Sequence, residues 1–394
     1  MAGAVGILIA LAVLSGCAPE AGDAAGSESP ASSEPRPSAA STPQPPSPEE
    51  LRHEAAEAMV ESATLRENVA SIIMSTAPGT DAKSIRAFVS DQGLGGFILM
   101  GSNVPSTAEE LTAFTATVAG DPEFPLLLGI DQEGGVVSRL PWDELPSSIT
   151  LKSEPPAASE AAFAERAKLL SDTGLNVNFG IVADVTADPE SFIFDRVLGT
   201  TPDESAERVA AAVTGEQGTV LSTLKHFPGH GATPGNSHEM IPQSAVDRAT
   251  WDTTDARPFQ AGIDAGAELL MFGHLRYSSV DELPASLSPE WHRIVREDLG
   301  FTGVIVTDDL AMLLDSGEPA LQDPAQNAAQ ALLAGNDLLL HLDGATVPAM
   351  IEGITAAVEA GTVPEDRLED AAIRVAELRL EVAALRGTAA DEGP

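Results

Sequence analysis

The stretch VLSTLKHFPGHGATPGNSH, residues 220–238, opens as an apolar run and turns abruptly into charge, imidazole, proline and glycine. A short apolar run from Val220 to Leu224 fits a strand buried on both faces, as the strands of parallel sheets are. Lys225 and His226 then stand at its C-terminal end. The same texture recurs along the chain. Further strand candidates at Ser71–Met74, Gly96–Met100, Leu126–Ile130, Asn176–Val182, Leu269–Phe272, Gly303–Val306 and Asp337–Leu340 bring the number to eight. Helix candidates lie between them at 81–90, 107–119, 160–172, 204–215, 255–265, 290–298 and 324–334, with closing helices within 356–385. This alternation predicts an α/β fold, a (β/α)8 TIM-type barrel forming a single catalytic domain over residues 49–390.

Barrels of this kind build their active sites from the C-terminal ends of the strands. Asp131 follows LLLGI, Lys225 and His226 follow VLSTL, His274 follows LLMFG, and Asp308 follows GVIVT. Their shared position on separate strands points to one site. A carboxylate at the end of a buried strand costs several kcal/mol unless it is paired or works in a solvated pocket. Asp308 continues its strand and is expected to face the barrel mouth as nucleophile or electrostatic stabiliser, whereas Asp309 begins the next turn and suits a helix cap. In GIDQEGGVVSRL, residues 129–140, the paired glycines let the backbone fold closely over a ligand. Asp131 and Arg139 are placed there to grip hydroxyl or carboxylate groups, or to pair with each other.

His226, His230 and His238 raise the question of zinc. Pro228 and Gly229 keep the first two off a common helix face, so no metal and no cofactor is expected. A loop rich in glycine and proline that carries His238 suits a movable general acid/base.

The chain of 394 residues has 60 acidic against 21 basic side chains, a net charge of -39, and its lysines are Lys83, Lys152, Lys168 and Lys225. Such a surface repels nucleic acid and anionic lipid headgroups, and its acidity reads as solubility rather than recognition. The single cysteine, Cys17, excludes an intramolecular disulfide and thiol catalysis in the mature domain. It closes an apolar run, Ala4 to Leu14, through Leu14-Ser15-Gly16-Cys17, so residues 1–17 read as a lipoprotein signal peptide. That tetrapeptide resembles a bacterial lipobox, which implies lipidation of Cys17 and an extracytoplasmic protein anchored to the outer face of the cytoplasmic membrane. MAGAVGILIA departs from the usual export signal in having no Lys or Arg. The run is shorter than the ~20 residues of a spanning helix. Residues 18–48, almost wholly Ala, Ser, Pro, Gly and Glu, read as a disordered tether.

KHFPGHG with its trailing NSH, together with GIDQEGGVVSRL, PASLS at 284–288 and GFTGVIVTDDLAM, resembles glycoside hydrolase family 3 from about residue 65 to 380. The histidine-bearing loop is similar to that of the family's single-domain bacterial β-N-acetylglucosaminidases. The resemblance implies a retaining exo-β-N-acetylglucosaminidase acting on peptidoglycan-derived fragments through a covalent glycosyl-aspartate, with Asp308 as nucleophile and His238 as general acid/base. It implies that Asp131, Arg139, Arg196, Lys225 and His226 bind the terminal N-acetylglucosamine and that His230 and His274 shape the pocket, in a monomer that meets the membrane only through its lipid. Members of the family usually read Asp-Ser-His where this chain has Asn236-Ser237-His238. Asn236 is expected to orient the imidazole without stabilising its charge, displacing the activity profile toward acid or slowing the protonation step. Two other functions share these residues: a β-N-acetylglucosaminide phosphorylase, since a histidine does not repel incoming phosphate as a carboxylate would, and a non-catalytic, lipid-anchored glycan binder.

Overall fold

The computed structural model describes residues 46–391. The signal peptide at 1–17 with Cys17, and the tether from 18 to 45, lie outside the described residues. Eight parallel strands make the central sheet: β1 (Ile73–Ser75), β2 (Gly96–Leu99), β3 (Leu127–Ile130), β4 (Val177–Val182), β5 (Leu221–Phe227), β6 (Leu269–Phe272), β7 (Val304–Thr307) and β8 (Leu339–His341). They neighbour one another in chain order, and a parallel bridge from Val306 to Leu338 brings β7 back to β8. The sheet is the expected (β/α)8 barrel, with helices around it. Most residues of these strands are apolar and buried on both faces, and the polar ones among them, such as Ser75 and Asn178, are hydrogen-bonded within the protein.

The helices begin where local chemistry provides for their free N–H groups. Thr107 caps Ala108–Val118, Thr201 caps Pro202–Glu216 with proline at the first helical position, and Asp323 caps Pro324–Ala334 in the same way. Two helices precede the barrel where the sequence reading had placed only a tether end and a strand start. Pro48–Ser62 starts from a Ser47/Glu50 capping box, so order begins just inside the segment read as tether. Its buried residues are Ala56 and Val60, too thin a stripe to show as periodicity. Leu65–Ser71 starts from a second capping box, Thr64/Glu67, and takes Ser71 out of the expected first strand.

β5 runs three residues beyond its apolar stretch, carrying Lys225 and His226 inside the sheet. The peptide bonds Lys225–His226 and Phe227–Pro228 are cis. Register fixes which side chains face the barrel axis, because residues paired across parallel strands share a face. Met74 pairs with Leu340 and Gly96, Ile98 with Gly129, and Met271 with Val306. Asp131 and Asp308, two residues past Gly129 and Val306, continue the same inward rows at the mouth. Gly129 has to be glycine, since a Cβ there would lie 2.5 Å from the Phe179 ring that fills the barrel beside it.

Candidate active site

Five consecutive strands contribute to one polar cluster at the C-terminal mouth. β3 ends in Asp131 and turns through Gln132 and Glu133 into Gly134 and Gly135, whose φ values of 83° and 78° are left-handed. That turn folds Glu133 back under Asp131. Lys225, from β5, is almost completely buried and pairs with both carboxylates, at 2.9 Å to Asp131 Oδ1 and 2.7 Å to Glu133 Oε1. Arg196 donates to Glu133 through Nε at 2.9 Å and a terminal nitrogen at 2.7 Å, the two-pronged geometry that suits a carboxylate. Arg139 lies further out, 3.4 Å from Asp131 Oδ2, so the pairing weighed from sequence is present but loose.

These contacts decide the protonation states. Burial favours the neutral form of Asp131 and of Glu133, yet Lys225 and Arg196, joined by Arg139 at Asp131, hold both carboxyls below their ordinary values. Burial likewise opposes the charge on Lys225, and Asp131 and Glu133 overcome it, raising its pKa. The cluster is a buried ion network whose members stay charged because each has an opposite partner.

Two residues past the end of β4 lies Asp184, fully buried beneath the histidine stretch. Its Oδ2 accepts from His226 Nδ1 at 2.8 Å, and its Oδ1 accepts the His230 main-chain N–H at 2.6 Å. Since Nδ1 donates to the carboxylate, His226 Nε2 is left to accept from Arg196 at 3.2 Å, the neutral tautomer. Burial first, then Arg196 and Lys225, hold its pKa well below the usual range. Burial also pushes the Asp184 carboxyl up to about 6 against the pull of His230.

From β7, Asp308 takes the Asp309 main-chain N–H on Oδ1 at 2.8 Å. Burial would raise its pKa, but His226, His274, that N–H and Lys225 together keep it below the ordinary aspartate value. Asp309 does cap: Oδ1 accepts from Ala311 N, and also from Leu342 N beyond β8, each at 2.9 Å. His274, fully buried at the end of β6, donates from Nε2 to the Asp309 carbonyl at 2.8 Å and accepts from Ser286 of the PASLS motif on Nδ1 at 2.7 Å. It therefore fixes the turn that carries Asp308.

The loop after β5 has a pinned half and an exposed half. Trp251 Nε1 donates to the Pro228 carbonyl at 2.7 Å and the Tyr277 hydroxyl to that of Gly229 at 2.5 Å. A Cβ on Gly231 would come within 1.8 Å of the Val185 carbonyl oxygen, so only glycine passes there. His230, buried, reaches forward to Ser237 Oγ at 3.0 Å. His238 is exposed at the tip, its ring 6.2 Å from that of Phe192. Asn236 Oδ1 accepts the His238 main-chain N–H at 3.1 Å, and its amide donates to Glu239 at 3.2 Å. Asn236 thus sets the backbone of His238, where the sequence reading had it holding the ring.

The structure gathers Asp131, Arg139, Arg196, Lys225, His226 and Asp308 at one mouth, with His230 and His274 as supports behind them. Glu133 and Asp184 were not singled out from sequence. Asp184 follows the apolar run GIV-Ala and carries the strand-end signal used for the others; Glu133 lies in a turn and shows no such signal. Among the described residues no group of three or more His, Cys, Asp or Glu side chains is placed to hold a metal.

Comparison with known proteins agrees with this geometry. Residues 64–378 match the glycosyl hydrolase family 3 N terminal domain. A beta-hexosaminidase of Methylococcus capsulatus is 33% identical over 263 residues, 65% of this chain and 77% of that protein. A glycoside hydrolase family 3 beta-N-acetylglucosaminidase from Paenibacillus sp. superposes with a TM-score of 0.77 at 29% identity, covering 82% of this chain and 64% of that one. A beta-N-acetylhexosaminidase from Beutenbergia cavernae superposes with a TM-score of 0.70 at 29% identity over 80% of this chain and 98% of its own.

Proposed function

We propose, from the premise that this chain belongs to glycoside hydrolase family 3, that it is a retaining exo-β-N-acetylglucosaminidase. The carrying observation is Asp308, a half-buried carboxylate whose pKa is held below its ordinary value, at the mouth of a barrel whose other inward charges are cross-paired. In the first step a carboxylate oxygen of Asp308 attacks the anomeric carbon. The bond to the aglycone oxygen breaks as His238 delivers its proton, leaving a glycosyl-aspartate. Water then attacks the same carbon, His238 takes its proton, and Asp308 is released. Asp131, Lys225, Arg139, Arg196 and His226 bind the hydroxyls of the sugar. His238 stands exposed, so the tip from Thr233 to Met240 has to close over the sugar before protonation.

Lys225 and Arg196 are already matched by carboxylates, which supports water rather than phosphate as the acceptor of the glycosyl group. N-acetylglucosamine-containing glycan is the substrate class. Cell-wall fragments as its source, anchoring through Cys17 outside the cytoplasmic membrane, and a monomeric state complete the proposal, supported by the sequence pattern at 1–48 and the acidic surface. Incubation with a 5-fluoro N-acetylglucosaminyl fluoride followed by peptide mass spectrometry is expected to label Asp308. A label on another residue, or no turnover of nitrophenyl N-acetylglucosaminide at all, overturns the assignment.

A further inference from the structure

Among the described phenylalanines, tryptophans and tyrosines one side chain is left exposed, that of Phe192, at 41%. It stands beside the charged cluster, on the segment that leads from β4 to Arg196. That segment is stitched in place. The Phe194 N–H donates to the Ser191 carbonyl, and those of Arg196 and Val197 donate to the Ile193 carbonyl. The Ile193 and Val197 side chains are buried against Val182 at the end of β4. The Phe194 ring lies under the Lys152 ammonium, 3.9 Å from its centroid. Phe192 is therefore held out at the mouth by fixed neighbours on its own segment, and a bare ring in that position gains from whatever covers it.

Three groups surround the ring. The Arg196 guanidinium carbon lies 5.8 Å from its centroid. The buried His230 ring is 5.3 Å away at an interplanar angle of 41°, and the exposed His238 ring 6.2 Å away at 74°. Phe192 thus meets a cation of the sugar site and both halves of the loop after β5. Asn236 binds the His238 main chain, and among the described residues the imidazole itself has no hydrogen-bond or ion-pair partner. The ring it meets is Phe192. A hydrogen bond would orient the imidazole by occupying one of its nitrogens, whereas an edge-to-face aromatic contact orients it and leaves both nitrogens free for proton transfer.

We propose that Phe192 is a positioning residue for proton transfer, the seat on which the His238 imidazole settles when the tip of the loop closes over a bound sugar. The inference rests on the glycosidase reading of the mouth, with His238 as the acid. An aromatic pair of this kind favours the seated imidazole about two- to tenfold. Because the same ring packs on Arg196, it ties the place of the proton donor to a residue that binds the sugar.

The test is kcat/KM for a series of aryl N-acetylglucosaminides, from dinitrophenyl to unsubstituted phenyl, on the unaltered chain and on Phe192→Ala, Phe192→Leu and Phe192→Tyr. This constant reports the steps up to departure of the aglycone. Dinitrophenolate departs without a proton, whereas phenolate needs the general acid. Phe192→Ala is expected to lower kcat/KM about three- to tenfold for the phenyl glycoside and to leave the dinitrophenyl glycoside within about 1.5-fold. Phe192→Leu, apolar but without a ring, should do the same, and Phe192→Tyr should restore the unaltered dependence on the leaving group. An equal loss across the series places Phe192 in sugar binding or folding and overturns the proposal while sparing the glycosidase. So does a phenyl glycoside turned over by Phe192→Ala as fast as by the unaltered chain. No hydrolysis of any member by the unaltered chain overturns the glycosidase reading and the seat with it.

Discussion

Replacing Glu133 by glutamine removes one charge from the centre of the ion network while keeping its shape. Glu133 accepts from Lys225 Nζ at 2.7 Å and from Arg196 at 2.9 and 2.7 Å. A glutamine offers one oxygen, so it satisfies one or two of these donors and turns an NH2 group toward the rest. Losing a hydrogen bond to a charged group costs about 1.5–3 kcal/mol, and stranding one half of a buried pair costs about 3–5 kcal/mol. With the Glu133 side chain only 1% exposed, solvent does little to soften the change. Glu133→Gln is therefore expected to lower the unfolding free energy by about 3–5 kcal/mol in urea titration. In the folded fraction, Lys225 should be drawn toward Asp131 and Arg196 released from the sugar side, lowering kcat/KM at least a hundredfold, mainly through KM. A loss of less than about 1 kcal/mol with kcat/KM near that of the unaltered chain would refute the claim that Glu133 holds the cations in place.

Restoring a carboxylate by Asn236→Asp is expected to extend activity toward alkaline pH, read from kcat/KM against pH; an unchanged profile shows that residue 236 acts only on the loop backbone. Burial raises the Glu216 carboxyl to about 8, although it accepts from Asn178, so its folded-state pKa exceeds its unfolded one. The neutral form is then favoured by folding: the contribution is fully present below about 4.5 and is lost as pH rises through about 8. Glu216→Gln should accordingly remove a decline of roughly 4–5 kcal/mol across that window, checked by urea unfolding at pH 5, 7 and 9. Gly231→Ala, whose Cβ would meet the Val185 carbonyl at 1.8 Å, is expected to abolish activity by displacing His230 and Ser237. Unaltered kcat for that variant would show that the pinned half of the loop is not rigid.

The barrel and most of its mouth were legible because a strand buried on both faces has one place to put a charge, its end. Asp131, Lys225, His226, His274 and Asp308 all follow apolar runs, and all five reach the cluster. Asp184 obeys the same rule after β4, where a register irregularity between Asn178 and Ile181 lengthens the run. Glu133 was out of reach, since its direction depends on two left-handed glycines that say only that the chain turns. Asn236 shows the opposite limit: its identity was plain, but whether its oxygen meets a ring or a main-chain N–H depends on loop geometry. The helix Pro48–Ser62 was hidden because alanines on one face and glutamates on the other leave no apolar stripe.

The matched charges around Lys225 have an outcome that reaches past the mouth. The chain carries a net charge of -39, but its sugar site balances its own cations against its own carboxylates before substrate arrives. An uncharged glycan is then neither drawn in nor held back by the acidic exterior, and turnover should vary little with ionic strength. The exterior is free to answer to solubility and surroundings while the chemistry inside keeps its own electrical ground.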